Sequence, residues 1–279
     1  MSLQIPGKTF LVGEYAVLSG GSALVLATKP FFKQTSVQKK YHPESPVARF
    51  LQTTDFWAVE NDYGVGGFGQ SSAEFIMAWI SQNPESMSQG VFTKDCIGQI
   101  FRDYRKLYTS DLSQQPSGAD VVGQCLGPIT WFRPVVEQSS TYEWPFRNLG
   151  FFLVATGYKQ PTHEHLDQLD RTLLKDLVPI SEETIHSFFK SDSHFIASLN
   201  HWSHNLDRLG LLCDFSRSLK NELMRNPLVL CAKPCGAMGA DVILVAFEVN
   251  HREEVEKYLN TKSLKIKASD LSLTKLYKE

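Results

Sequence analysis

The sequence predicts an α/β protein built as two lobes. Three observations lead there. Short strand-like runs at the start of the chain give way to apolar residues at helical spacing. The chain closes on strand, glycine loop, strand and helix, written "LVLCAK", "PCGAMGA", "DVILVAF" and "HREEVEKYL". A break near Asn148 to Gly150 divides the two halves, which places the lobes at residues 1–148 and 149–279.

The elements follow in order. Thr9 to Val12 and Ala23 to Ala27 read as strands joined through the Gly20-Gly21 turn, and Phe31 to Val37 as a third strand. Residues 38 to 60 carry no clear pattern. Gly64, Gly66, Gly67 and Gly69 then break any regular element. From Ser72 the spacing of Phe75, Ile76, Ala78, Trp79 and Ile80 is helical. A further helix fits Lys94 to Leu107, and a short one starts near Ser117. "PITWF" and "LGFFLVATG" read as strands. Thr162 to about Arg225 is mostly helical, with Glu182-Glu183 expected to start one helix and Asp214 to cap another. Phe188, Phe189, Phe195 and Trp202 are expected in the core.

Composition narrows the function. A chain of 279 residues with 42% apolar and 21% charged residues can bury a substantial core. Its net charge of −2, from 28 basic and 30 acidic residues, points to neither nucleic acid nor a membrane surface as partner. Five cysteines without a C-x-x-C pair read as buried free thiols. With no signal-peptide pattern and no apolar run long enough to span a bilayer, the expected location is cytoplasmic. The pairs His201/His204 and His163/His165 lack further clustered ligands and are not read as zinc sites.

Gly7-Lys8-Thr9 resembles the tail of a phosphate-binding P-loop, but the first glycine of that pattern would fall on Ser2, with no room for a preceding strand. The stronger signal is "GVGGFGQSSAEF": glycines let backbone N–H groups approach a phosphate, and the helix that follows adds its own N–H groups and positive dipole end. Two more loops carry candidate chemistry, "PSGAD" from Pro116 to Asp120 and "KPCGAMGAD" from Lys233 to Asp241.

Taken together and in this order, the motifs resemble those of the superfamily of galacto-, homoserine, mevalonate and phosphomevalonate kinases, the GHMP kinases. "PGKTFLVGEYAVLSGG" resembles its first motif, "GGFGQSSA" its ATP-phosphate motif, "PSGAD" its S-G-x-D, and "KPCGAMGAD" its third glycine motif. The resemblance runs from Pro6 to Asp241. It implies a ribosomal-protein-S5-like N-terminal lobe and a ferredoxin-like C-terminal lobe, with ATP between them. It implies catalytic roles for Lys8 and Asp120. It implies ATP contacts from Gly66, Gly67, Gly69, Gln70, Ser71, Ser72, Gly236, Ala237 and Gly239, with Ser71 as a magnesium ligand. Glu14, Tyr15, Ser117, Lys159, Thr162 and His163 become candidates to hold the acceptor.

Within the superfamily, Gly13-Glu14-Tyr15-Ala16, Asp241, and "LVATGYKQPTHEHL" resemble the phosphomevalonate kinase branch. The expected activity is ATP- and Mg²⁺-dependent conversion of 5-phosphomevalonate to 5-diphosphomevalonate, by a monomer or homodimer. The rivals are a mevalonate kinase, a diphosphomevalonate decarboxylase (a branch that lacks the lysine matching Lys8) and a non-catalytic metabolite-binding relative. Three positions depart from the motifs: Gln70 replaces a serine, and Met238 and Ala240 replace glycines. Asp111 is a weak candidate for an acidic magnesium ligand.

Overall fold

The computed structural model describes residues 3–64, 66–88, 91–108, 115–158, 171–239 and 241–276. Strand β1 (Gln4–Val12) runs antiparallel to β2 (Ala23–Lys40), which also pairs with β3 (Asp55–Asn61). Helix α1 (Pro46–Leu51) lies between β2 and β3 in the chain, and α2 (Gln70–Gln82) follows the glycine loop. A small hairpin, β4 (Met87–Ser88) with β5 (Val91–Phe92), leads to α3 (Lys94–Lys106). Then come α4 (Ala119–Leu126), β6 (Ile129–Arg133) and β7 (Gln138–Tyr142). The first sheet has the order β1-β2-β6-β7, with β3 attached to β2.

The second sheet begins with β8 (Leu149–Ala155). Helices α5 (Arg171–Leu174), α6 (Leu177–Ser187), α7 (Asp192–Arg208) and α8 (Asp214–Leu223) precede β9 (Cys231–Cys235) and β10 (Val242–Glu248). Helix α9 (Arg252–Thr261) and β11 (Lys265–Ser269) complete it. The antiparallel order β11-β8-β10-β9 is that of a ferredoxin-like sandwich. β8 and β10 are central and read BBBBBB over most of their length, so both faces are covered. Phe152, Val154, Ile243, Val245 and Phe247 line one face of this sheet, toward Val255 and Leu259 of α9. The opposite face, with Phe151, Leu153 and Leu244, joins a continuous core with the first sheet.

Several expectations are corrected. Phe31 to Val37 is no separate strand: it continues β2, because the ladder with β1 slips at Pro6/Gly7 without ending. Glu182-Glu183 does not start a helix. Helix α6 starts at Leu177, and Glu182 instead accepts the Ser22 N–H at 2.9 Å across the two halves of the chain. Cys213, not Asp214, occupies the cap position of α8; Asp214 sits in the first turn and accepts from Arg217 at 2.6 Å. Phe188, Phe195 and Trp202 are buried, but Phe189 is exposed and packs edge-on against Tyr142.

Candidate active site

Lys8 is held on β1 by a ladder to Ala27 and by its own N–H, which donates to the Phe68 carbonyl at 2.8 Å. Phe68 belongs to the glycine loop, so strand and loop are stitched at the lysine itself. A second stitch lies beneath. Tyr63 stacks on Phe68 with centroids 4.1 Å apart, and its hydroxyl donates to the Thr28 carbonyl at 2.7 Å. Burial pushes the Tyr63 hydroxyl above its ordinary range.

The glycine requirement is steric at two positions. Gly69 has φ +79, and a Cβ there would lie 2.6 Å from Lys8 Cγ. Gly67 has φ +91, and a Cβ there would lie 2.2 Å from Asp241 Cβ. The loop is therefore pressed between Lys8 on one side and the third glycine motif on the other. Gly69 is the N-cap residue of α2, and no side chain caps the helix. The N–H groups of Gln70, Ser71 and Ser72 thus fall in the first turn, where helices lack internal acceptors and carry the positive dipole end. Ser71 is exposed there. Ser72 is turned inward: it is buried and its hydroxyl donates to the Gly69 carbonyl at 2.9 Å. A phosphate contact from Ser72 would therefore come from its backbone N–H.

Gln70 accepts from Asn61 Nδ2 at 3.1 Å and donates to Glu74 Oε1 at 3.0 Å. A serine could not span this pair. Burial raises the Glu74 pKa, opposed by the Gln70 hydrogen bond and by Lys39, whose ammonium stands 3.7 Å away.

Asp120 lies in the first turn of α4, after Gly118 at φ +72. Phe101 closes off the space a side chain at Gly118 would need. Ser117 Oγ accepts the Ala119 N–H at 3.3 Å. Asp120 faces Tyr104 and Tyr108 of the α3 end closely enough that its charge adds to the burial that raises both hydroxyls. Helix α4 packs on the β1–β2 face: a Cβ at Gly123 would meet Val25 Cγ1 at 2.5 Å. Phe10 pairs with Val25 and Lys8 lies two residues away, so Lys8 shares that face. Lys8 and Asp120 do not form an ion pair. The lysine ammonium rests 4.7 Å from the Phe10 ring centroid, and among the described residues no carboxylate lies within 4.0 Å of it.

Glu14 and Tyr15, expected near the acceptor, act as struts in the structure. Lys233, wholly buried on β9, donates to Glu14 Oε1 at 2.6 Å and to the Phe10 carbonyl at 3.1 Å. Trp202 Nε1 donates to the other Glu14 oxygen at 3.3 Å. Burial by itself would lower the Lys233 pKa, but Cys235 and Glu14 beside it hold the ammonium above its ordinary value. Tyr15 is buried and its hydroxyl accepts the Met238 N–H at 2.9 Å. Met238 itself sits at φ +52, in the left-handed region that glycine normally fills. Gly236 and Gly239 frame it, at φ +86 and +63. The side chain of Ala237, and Lys159, Thr162, His163, Asp111 and Ala240, lie outside the described residues.

Gln124 was not singled out by the sequence. It is fully buried on α4, four residues after Asp120, and its Nε2 donates to the Pro6 carbonyl at 2.8 Å and to Gly69 at 3.2 Å. A polar residue among Val121, Val122, Cys125 and Leu126 was the only signal available.

The protein has the two-lobed fold of the GHMP kinases. It superposes on a Streptococcus pneumoniae phosphomevalonate kinase solved with phosphomevalonate and AMPPNP, with TM-score 0.72 and 13% identity over 96% of this chain and 99% of that one. Methanococcus jannaschii mevalonate kinase gives TM-score 0.66 at 13% identity, covering 96% and 97% of the two chains. Lactococcus lactis galactokinase, solved with galactose, gives 0.69 at 9% identity, covering 96% and 93%. By sequence the chain matches no family model and no curated protein.

Proposed function

We propose that the protein is an ATP-dependent phosphotransferase that phosphorylates 5-phosphomevalonate to 5-diphosphomevalonate. The observation that carries the reading is that Lys8 is hydrogen-bonded to the glycine loop that leads into α2, while α4, whose first turn bears Asp120, packs on the same β1–β2 face through Gly123. Phosphoryl transfer asks little covalent chemistry of a protein; it asks for alignment and for neutralisation of spreading charge.

The loop suits a phosphate: Gly67 and Gly69 let its backbone pack directly against Asp241 and Lys8, and the first-turn N–H groups of α2, uncapped by any side chain, can point at anionic oxygens. Ser71 would ligate Mg²⁺ from the exposed side of that turn. Among the described residues no group of three or more His, Cys, Asp or Glu could hold a metal ion. The nucleotide phosphates themselves would then supply most ligands. When bound, the metal would neutralise the β- and γ-phosphate charge.

Lys8 would stabilise charge on the transferring group. Asp120 would align the acceptor oxygen and take any proton it carries. In the transfer, an acceptor oxygen forms a bond to the γ-phosphorus as the bond to the ADP oxygen breaks, and ADP leaves with the electron pair. Asp120 has no hydrogen bond or ion pair among the described residues, which leaves its carboxylate for that task. Lys159, Thr162 and His163 would hold the acceptor's phosphate or carboxylate, with Gly236 and Gly239 on the nucleotide side. Among the described residues no helix is long and apolar enough to cross a membrane.

The likeness to the pneumococcal phosphomevalonate kinase, solved with phosphomevalonate, supports this acceptor over galactose. An ADP-release assay across mevalonate, phosphomevalonate, homoserine and galactose tests it. Release with phosphomevalonate, lowered about 10- to 100-fold in kcat/KM by Lys159→Ala, is expected from the loss of one charged contact of roughly 1.5–3 kcal/mol. Preference for mevalonate moves the assignment to a mevalonate kinase. No release with any acceptor leaves a nucleotide- or metabolite-binding protein.

A further inference from the structure

We propose that Gln124 is a positioning residue: one buried amide sets Lys8, the phosphate loop and Asp120 in a common register, and turnover depends on both of its hydrogens. The proposal rests on the phosphotransferase reading and adds to it a residue outside every motif.

The geometry fixes the amide's orientation. Both groups within reach, the Pro6 and Gly69 carbonyls, are acceptors, so only the NH₂ end can face them. Pro6 lies two residues before Lys8, where the β1–β2 ladder slips between Pro6 and Gly7. Gly69 is the cap residue of α2, and its carbonyl also takes the Ser72 hydroxyl at 2.9 Å and the Ala73 N–H at 3.0 Å. Asp120 and Gln124 are spaced i, i+4 on α4 and so share a helix face. One side chain therefore ties the strand bearing the lysine, the loop meant for phosphate and the helix bearing the aspartate.

Packing alone gives no reason for an amide here. Gln124 is 0% exposed and its Oε1 has no hydrogen-bond partner. A buried polar atom left unpaired costs about 1–3 kcal/mol, and an apolar side chain of the same length would avoid that cost. What the apolar chain cannot do is hold three elements in register. Lys8 and the loop already touch through the Lys8–Phe68 hydrogen bond. The amide adds the helix, and with it the distance between Asp120 and the reacting groups. A displacement of about 1 Å in such a site can cost roughly 10² in rate.

Gln124→Met keeps length and removes both donors. Its kcat per folded molecule, with the folded fraction taken from urea unfolding, is expected to fall about 10- to 100-fold, within the loss that such a displacement brings. KM for ATP should stay within about threefold, since the loop's own N–H groups are untouched. Gln124→Glu sharpens the test. Its ionised carboxylate cannot donate, whereas its protonated form donates one O–H. Its kcat should therefore rise as pH falls, relative to wild type at each pH. Gln124→Met activity close to wild type, a loss that only tracks the folded fraction, or a Gln124→Glu profile parallel to wild type overturns the proposal. If wild-type protein releases no ADP with any acceptor, the phosphotransferase reading fails on its own. Amide exchange on the unliganded protein then decides about Gln124. The Lys8 and Ala73 N–H groups should exchange at least about tenfold faster in Gln124→Met, a change of about 1.4 kcal/mol in local opening. Unchanged exchange means Gln124 does not hold the register.

Discussion

Two lysines open two of the glycine motifs, and the structure uses them in opposite ways. Lys233 is wholly buried, pinned by Glu14 and the Phe10 carbonyl. Lys8 is partly exposed, with its ammonium over an aromatic ring and no carboxylate in reach among the described residues. A charge without water must be matched by partners; a charge at a site edge can keep its donors for a ligand. Lys233 is thus committed to joining the two halves of the chain, since its partner Glu14 lies 219 residues away. Lys8 is the one whose donors stay available for the phosphate proposed to bind beside it. Residues that look alike in a motif divide into strut and tool, and burial decides which.

The comparison breaks most visibly on stability. Lys233→Met leaves Glu14 buried without its cation, and losing one partner of such a pair costs about 3–5 kcal/mol. Urea unfolding should show that loss, whereas Lys8→Met should unfold within about 0.5 kcal/mol of wild type, as exposed positions do. Equal losses would erase the distinction. The same pair should reverse in turnover: Lys8→Met abolishes most ADP release while remaining folded.

Asp120→Asn comes next. Removing a positioned acid or base typically costs about 10²–10⁴ in rate. ADP release should fall by at least about 10², with ATP titration by calorimetry nearly unchanged. Turnover within a few-fold of wild type takes Asp120 out of the mechanism. Gly69→Val isolates the loop instead. Its Cβ would press on the Lys8 side chain at a left-handed φ, so ATP affinity should fall well before acceptor affinity does.

These residues mark how far the sequence could be read. Motif order singled out Lys8, Asp120 and the glycine loop as candidates because each motif asks for a particular residue type at a local turn. It could not show that Glu14 and Tyr15, named as acceptor candidates from the same motif as Lys8, are hydrogen-bonded to Lys233 and Met238, 219 and 223 residues away. Gln124 was invisible because its partners are 118 and 55 residues away. Among strands, the central ones were legible as continuous apolar runs. The edge strands β7 and β11, with patterns eeeii and eiiBi, carry no apolar alternation because little of either is covered. Residues 38–60 hid α1 and β3 for a similar reason: β3 pairs on one side only, with β2.

A smaller effect separates Glu74 from the exposed acids. Its pKa is raised, first by burial, so the folded state binds its proton more tightly than the unfolded state does. Stability from this group is complete below the ordinary value near 4.5 and declines as pH rises through the folded value. The difference in unfolding free energy, wild type minus Glu74→Gln, should therefore become less favourable as pH rises above about 4.5. A flat difference would mean that Gln70 and Lys39 fully offset the burial.

The smallest expected effect concerns Met238, one of the two places where the third motif departs from glycine. Its φ of +52 is one that side chains adopt at a cost of about 1 kcal/mol or more. Two backbone hydrogen bonds hold it there, from its N–H to Tyr15 at 2.9 Å and to its carbonyl from Cys213 N–H at 2.9 Å. Met238→Gly keeps both and relieves the strain, but gives the unfolded chain more freedom, worth roughly 0.4–1 kcal/mol against folding. The two terms nearly cancel, so thermal unfolding should move by only a few degrees. Met238→Val should do worse, because a branched Cβ at positive φ is a true outlier. If Val is tolerated as well as Gly, Tyr15 and Cys213 are not enforcing that backbone, and the third motif is held less firmly than the Lys233 strut beside it.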